Sequence, residues 1–181
     1  MEKTLRQTAI KISKEAAFIL LTVAGAIILP QILHGLGALL GVGGKLGSIF
    51  LPMYLPVLII GFYRGPIPGA IVGIMAPIIS YAITGMPVVS LLPYITLELV
   101  ALGALSGIFA GLKLHAPIRV ALAQIVAKVI RLTAFAIVLL IARGTLSGLF
   151  AGVLLSIPGA AIQLVLVSSL LMKKEKENNE E

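Results

Sequence analysis

Hydrophobic residues in this chain gather into long runs, and the breaks between them are short and rich in glycine, proline and cations. Six apolar segments stand between those breaks, at 16–33, 48–63, 66–83, 88–112, 116–142 and 146–172. A bilayer core about 30 Å thick needs about 20 apolar residues per helical span, so these segments predict transmembrane helices, the second and third being short. The expected fold is all-α: one domain over 1–181, a six-helix transmembrane bundle with short connections. Residues 1–15 lead into the first helix on the inner side, 34–48 form an external loop, and 173–181 form a solvated, frayed, charged tail.

Charge sets the expected orientation. With the N-terminus cytoplasmic, the inner segments carry Lys3, Arg6, Lys11, Lys14, Arg64, Lys113, Arg119, Lys173, Lys174 and Lys176, while the outer segments carry only Lys45 and Arg143. Short cytoplasmic loops hold the excess of Lys and Arg, so both termini are expected inside. A signal peptide is the alternative for the first segment, because Ala24-Gly25-Ala26 resembles a cleavage site. The apolar run continues through Ile27, Ile28 and Leu29, however, and removing it would leave five spans.

Composition narrows the chemistry. The chain is 59% hydrophobic and 12% charged, with a mean hydropathy of +1.13. It has no Cys and no Asp, and of seven acids only Glu98 lies within an apolar run. Disulfides, thiolate nucleophiles and paired intramembrane carboxylates are thereby excluded, and no catalytic residue is assigned. The net charge of +7 punctuates apolar segments rather than coating one soluble face, so nucleic acid is not an expected partner. His34 and His115 lie in loops without a second ligand beside them, and neither a metal nor a cofactor is expected. The Gly-rich stretch 34–48 invites a phosphate-loop reading, but Leu39 stands at the first glycine position and Leu46 follows Lys45 where Ser or Thr is required. It is expected to be a mobile external loop of the kind that serves as a lid.

Two cations remain outside this charge pattern. Gln124, Lys128 and Arg131 recur at i, i+4 and i+7 near the middle of the fifth segment, on one helical face. Each Lys or Arg at a helix centre costs about 2.5 to 3.5 kcal/mol on insertion scales, so that face is expected to turn inward. At about 1.5 Å per residue, Arg131 and Glu98 lie at nearly the same depth, roughly 16 Å from the outer end, and are expected to pair. One cation then lacks an acid, and an anion is missing from the count. Either a substrate carboxylate supplies it, with Arg131 suited by its two-pronged fork, or Lys128 snorkels to the inner interface beside Gln124 and Gln163. Tyr54, Tyr81 and Tyr94 fall in outer half-helices, where interface belts are common. Tyr94 stands one turn above Glu98 and is a candidate for the same pocket. Near the N-terminus Ala9, Ser13 and Ala17, spaced by four, make a small-residue stripe for close helix packing, against another helix of this chain or against a partner.

The blocks LPMYLPVLIIGFYRGPIPGAIVGIMAPIISYAITGMP (51–87) and PYITLELVALGALSGIFAGL (93–112) resemble the S component of energy-coupling factor (ECF) transporters, in a pantothenate-like branch. One departure is that Tyr54 stands where that motif has His. The resemblance implies a substrate-binding subunit in a prokaryotic cell membrane, not an enzyme. Its partners would be a transmembrane coupling subunit and two cytoplasmic ATPases, and its cargo a small water-soluble vitamin. It also implies that the Ala9, Ser13, Ala17 stripe faces the coupling subunit. A carboxylate-bearing ligand such as pantothenate fits the surplus cation, with Arg131, Lys128, Glu98, Tyr94 and Tyr54 as substrate-binding candidates. Hydroxymethylpyrimidine, a vitamin B6 form and a queuosine precursor stay open as ligands. An autonomous secondary carrier of a small organic anion is the rival class.

Overall fold

The computed structural model describes residues 2–41, 49–141 and 147–180. Among these the regular structure is entirely helical, with six helices: α1 (Glu2–Leu39), α2 (Tyr54–Arg64), α3 (Pro66–Thr84), α4 (Leu92–Ala110), α5 (Ala116–Ile141) and α6 (Ser147–Glu180). Five of them contain stretches long and apolar enough to cross a membrane: Arg6–Leu39, Pro66–Thr84, Leu92–Ala110, Ala116–Leu140 and Ser156–Asn178. The chain is a multi-pass membrane protein. Its apolar side chains point outward as freely as inward, with Leu20, Leu21, Ile67, Leu140 and Val165 all exposed, as lipid permits and water would not.

Element lengths depart from the sequence expectation at both ends of the chain. α1 has 38 residues, about 57 Å of helix at 1.5 Å per residue, and runs straight through the first six residues of the expected 34–48 loop. It ends only in the turn at Gly41, whose φ of +71° lies in the left-handed region that favours glycine. The rest of that loop, 42–48, lies outside the described residues. At the other end the expected frayed tail is helix through Glu180, with Lys173–Glu177 and Lys176–Glu180 paired one turn apart at 3.9 and 3.8 Å.

The second apolar segment is the larger correction. Instead of one helix over 48–63, continuous helix begins only at Tyr54, and α2 is 11 residues long, about half a bilayer core. Before it the chain turns sharply, with Leu51 at φ +47°. Pro52 explains the break, since a proline disfavours helix in the residue before it and has no N–H to donate.

The bundle centre is α2, α3 and α4, where Val57, Leu58, Ile60, Val72, Ala76, Leu99 and Leu102 are fully buried. α3 and α4 meet backbone to backbone: a Cβ on Gly69 would lie 2.3 Å from the Gly103 carbonyl oxygen. Only glycine allows that approach, which brings dispersion contact where lipid supplies no hydrophobic drive. α1 packs on α2 and α3, while α5 lies between α4 and α6. Polar contacts gather at one end of the bundle. Arg64 bonds Glu15 at 3.2 Å and lies over the Phe18 ring, and buried Arg119 joins Glu175 and the Ala110 carbonyl. Lys174 lies over Tyr63, whose hydroxyl donates to the Leu170 carbonyl.

Candidate functional site

Groups from α2 and α5 converge on one carboxylate of α4. Glu98, on the second turn of α4, has a side chain 1% exposed and is bound at both oxygens. Lys128 Nζ lies 2.8 Å from Oε1, and Arg131 Nη1 lies 2.7 Å from Oε2. The Tyr54 hydroxyl, on the first residue of α2, donates to Oε2 at 2.7 Å. Lys128 also donates to Ser156 Oγ of α6 at 3.3 Å, and its Nζ sits 5.6 Å from the centre of the Tyr54 ring. The spacing of Lys128 and Arg131 on α5 turns both inward to the same acceptor.

This arrangement alters one expectation. A pairing of Glu98 with one cation alone would have left the other without an acid. A carboxylate offers two oxygens and about four lone-pair directions, so it accepts both cations and a phenol together. The charge count is unchanged: two cations against one carboxylate leave one net positive charge inside the bundle. The Lys128 amine points to Glu98 and Ser156 within the bundle rather than along its own helix toward an interface.

A second polar layer adjoins the first. Gln124, one turn before Lys128, donates to the Ala160 carbonyl at 3.2 Å and to Gln163 Oε1 at 3.4 Å. Gln163 in turn donates to the carbonyls of Phe50 and Leu51, at 3.1 and 2.9 Å. The break before α2 leaves the Phe50 carbonyl to this side chain, while the Leu51 carbonyl also accepts from the Tyr54 N–H at 3.0 Å. Irregular backbone at membrane depth persists only where protein satisfies it, and here one side chain from α6 does so. Ser156 and this anchoring role were missed in the sequence. Gln163 in an otherwise apolar run was the available signal.

Between the two layers lies a small cleft, with Leu51, Leu102 and Ala160 as its apolar wall and Tyr54, Glu98, Gln124, Lys128 and Gln163 as its polar one. Its enclosed space has room for about one water molecule.

Of the predicted residues, the structure brings Arg131, Lys128, Glu98 and Tyr54 into one cluster. Arg131 reaches the cluster through Glu98 but does not line the cleft, and Tyr94 stands edge-on against Phe135, with ring centres 4.8 Å apart, and does not line it either. Tyr81 is exposed. In the stripe on α1, Ser13 and Ala17 are both exposed, and the side chain of Ala9 lies outside the described residues. No group of three potential metal ligands occurs among the described residues. Compared with known proteins, the chain matches no family model, no curated protein and no solved structure.

Proposed function

We propose that this chain is the substrate-binding membrane subunit of an ECF-type vitamin uptake transporter, taking a carboxylate-bearing vitamin for which pantothenate is the leading candidate. The observation that carries the ligand class is the unbalanced cluster: Lys128 and Arg131 share a single buried acid, Glu98, beside a cleft lined by amide and hydroxyl groups. An uncompensated charge in a low-dielectric interior is costly, and an anionic ligand removes that cost. Lys128 in the cleft wall brings the charge, Arg131 behind it brings the fork once the site opens, and the Gln124 side-chain oxygen offers an acceptor to the polar remainder of the ligand. The cleft holds about one water, so a vitamin enters only as the helices around it part.

The transporter assignment rests on the resemblance of 51–87 and 93–112 to S components. With it come six spans, both termini inside and a prokaryotic cell membrane, α2 and the irregular stretch before it together making the second crossing. The exposed Ser13 and Ala17 on α1 are available to a coupling subunit. Purification of the tagged protein from its own host tests the whole proposal. A coupling subunit and two ATPases are expected to accompany it, and native mass spectrometry is expected to find a retained small carboxylate. Ser13→Trp or Ala17→Trp should release the partners while leaving ligand binding intact. A lone carrier that transports without companions would replace this proposal with the secondary-carrier class.

A further inference from the structure

We infer that Glu98 sets the charge of the ligand: it makes the buried site a receptor for a singly charged anion, and without it the same two cations select a doubly charged one. This rests on the carboxylate-binding function proposed above and deepens it by fixing the charge class.

The cations belong to the bundle interior, because Lys128 and Arg131 are carried inward by α5 at successive turns. Glu98 is equally fixed, held at both oxygens by groups from α2 and α5. The cluster therefore carries one net positive charge before any ligand arrives. Among groups as closely set as these, around a buried acid, binding is most favourable when the charges sum to zero. A neutral ligand leaves the surplus charge standing, a monoanion cancels it, and a dianion inverts it. Donors remain for the incoming group: an ammonium has three N–H and a guanidinium five, more than Glu98 and Ser156 take up. Glu98 thus occupies one half of a two-anion seat and leaves the other half to the ligand.

Substitutions change the count in known steps. Glu98→Gln leaves two positive charges, Lys128→Met leaves none, and the double variant Glu98→Gln with Lys128→Met returns to one. Two probes separate the charge rule from the identity of the vitamin. The first is titration calorimetry of purified protein with pantothenate, a monoanion, and pantothenol, its neutral alcohol analogue. The second is the melting temperature in formate or oxalate at equal ionic strength, which needs no vitamin and asks less opening of the cleft than a vitamin does.

Wild type and the double variant are expected to bind pantothenate about tenfold or more tighter than pantothenol. Lys128→Met is expected to lose that preference. Formate should stabilise wild type and the double variant more than oxalate does, and the order should reverse in Glu98→Gln. Reversal without pantothenate binding would keep the charge rule and remove the vitamin. Pantothenate binding with no reversal would keep the carboxylate function and overturn the charge rule. If Glu98→Gln does not fold, the double variant decides, because a double variant that fails to restore the wild-type order overturns the inference equally.

Discussion

Arg131 and Lys128 differ in what they present to a carboxylate, although both bind Glu98. The guanidinium offers a rigid fork and the ammonium a compact point charge. Arg131→Lys keeps the charge and loses the fork, so affinity for the proposed carboxylate ligand should fall. Arg131→Met should weaken it further, by roughly tenfold to a hundredfold, because a hydrogen bond to a charged group contributes about 1.5 to 3 kcal/mol. Calorimetric titration of both variants checks the order, and equal affinity for the two would show that the fork is irrelevant. The inward face of Gln124, Lys128 and Arg131 was legible in the sequence, since spacing on a helix fixes which side chains share a side. So was a partner for Arg131 in Glu98, the only acid within an apolar run. That one carboxylate serves both cations was not legible. Sharing depends on how closely α4 approaches α5, and depth along a helix says nothing of that distance.

At the scale of elements, the break before α2 is the feature most dependent on a distant partner. Gln163→Leu removes the Gln163 donor from the Phe50 carbonyl and one of two donors from the Leu51 carbonyl, which keeps the Tyr54 N–H. Each buried carbonyl left unsatisfied costs about 1 to 3 kcal/mol, so the melting temperature in detergent should drop clearly. Gln163→Glu, which accepts but cannot donate once ionised, should fare no better. A melting temperature unchanged in Gln163→Leu would mean that water takes over the role and the anchoring is incidental. Pro52 hinted at this break in the sequence, whereas the helical extensions of α1 and α6 gave no comparable sign. Polar residues can prolong a helix beyond the lipid as well as end it, and hydropathy marks only where the lipid stops.

For the molecule as a whole, orientation is the property most cheaply tested. The chain has no native Cys, so single cysteines are read against a clean background. Val89, in the turn before α4, and Leu114, in the turn before α5, are both exposed and lie at opposite ends of α4. Cysteine at Val89 should react with an impermeant reagent added outside intact cells, and cysteine at Leu114 should not. Labelling at Leu114 alone would invert the proposed topology. The membrane class and the helical architecture were plain from the apolar runs. Neighbour relations were not, because lipid-facing and protein-facing apolar residues look alike in sequence when both surroundings are apolar.

The contact of Gly69 with Gly103 has a mechanical consequence. Two helices joined at backbone distance have no side-chain cushion to compress, so α3 and α4 behave as one stiff plate. Glu98 is mounted on that plate, and its two cations are mounted on α5, which has no glycine to make such a seam with α4. Under the proposed function, opening of the cleft is expected to fall to α5 and α6, swinging as a leaf, with the ion pairs as the latch between leaf and plate. Spin labels at the exposed positions Ile78 and Leu97 should keep one distance with and without pantothenate, whereas labels at Ile78 and Val129 should move apart as the ligand enters. A shift in the first pair instead would mean that the plate bends and the glycine seam is not its stiffener.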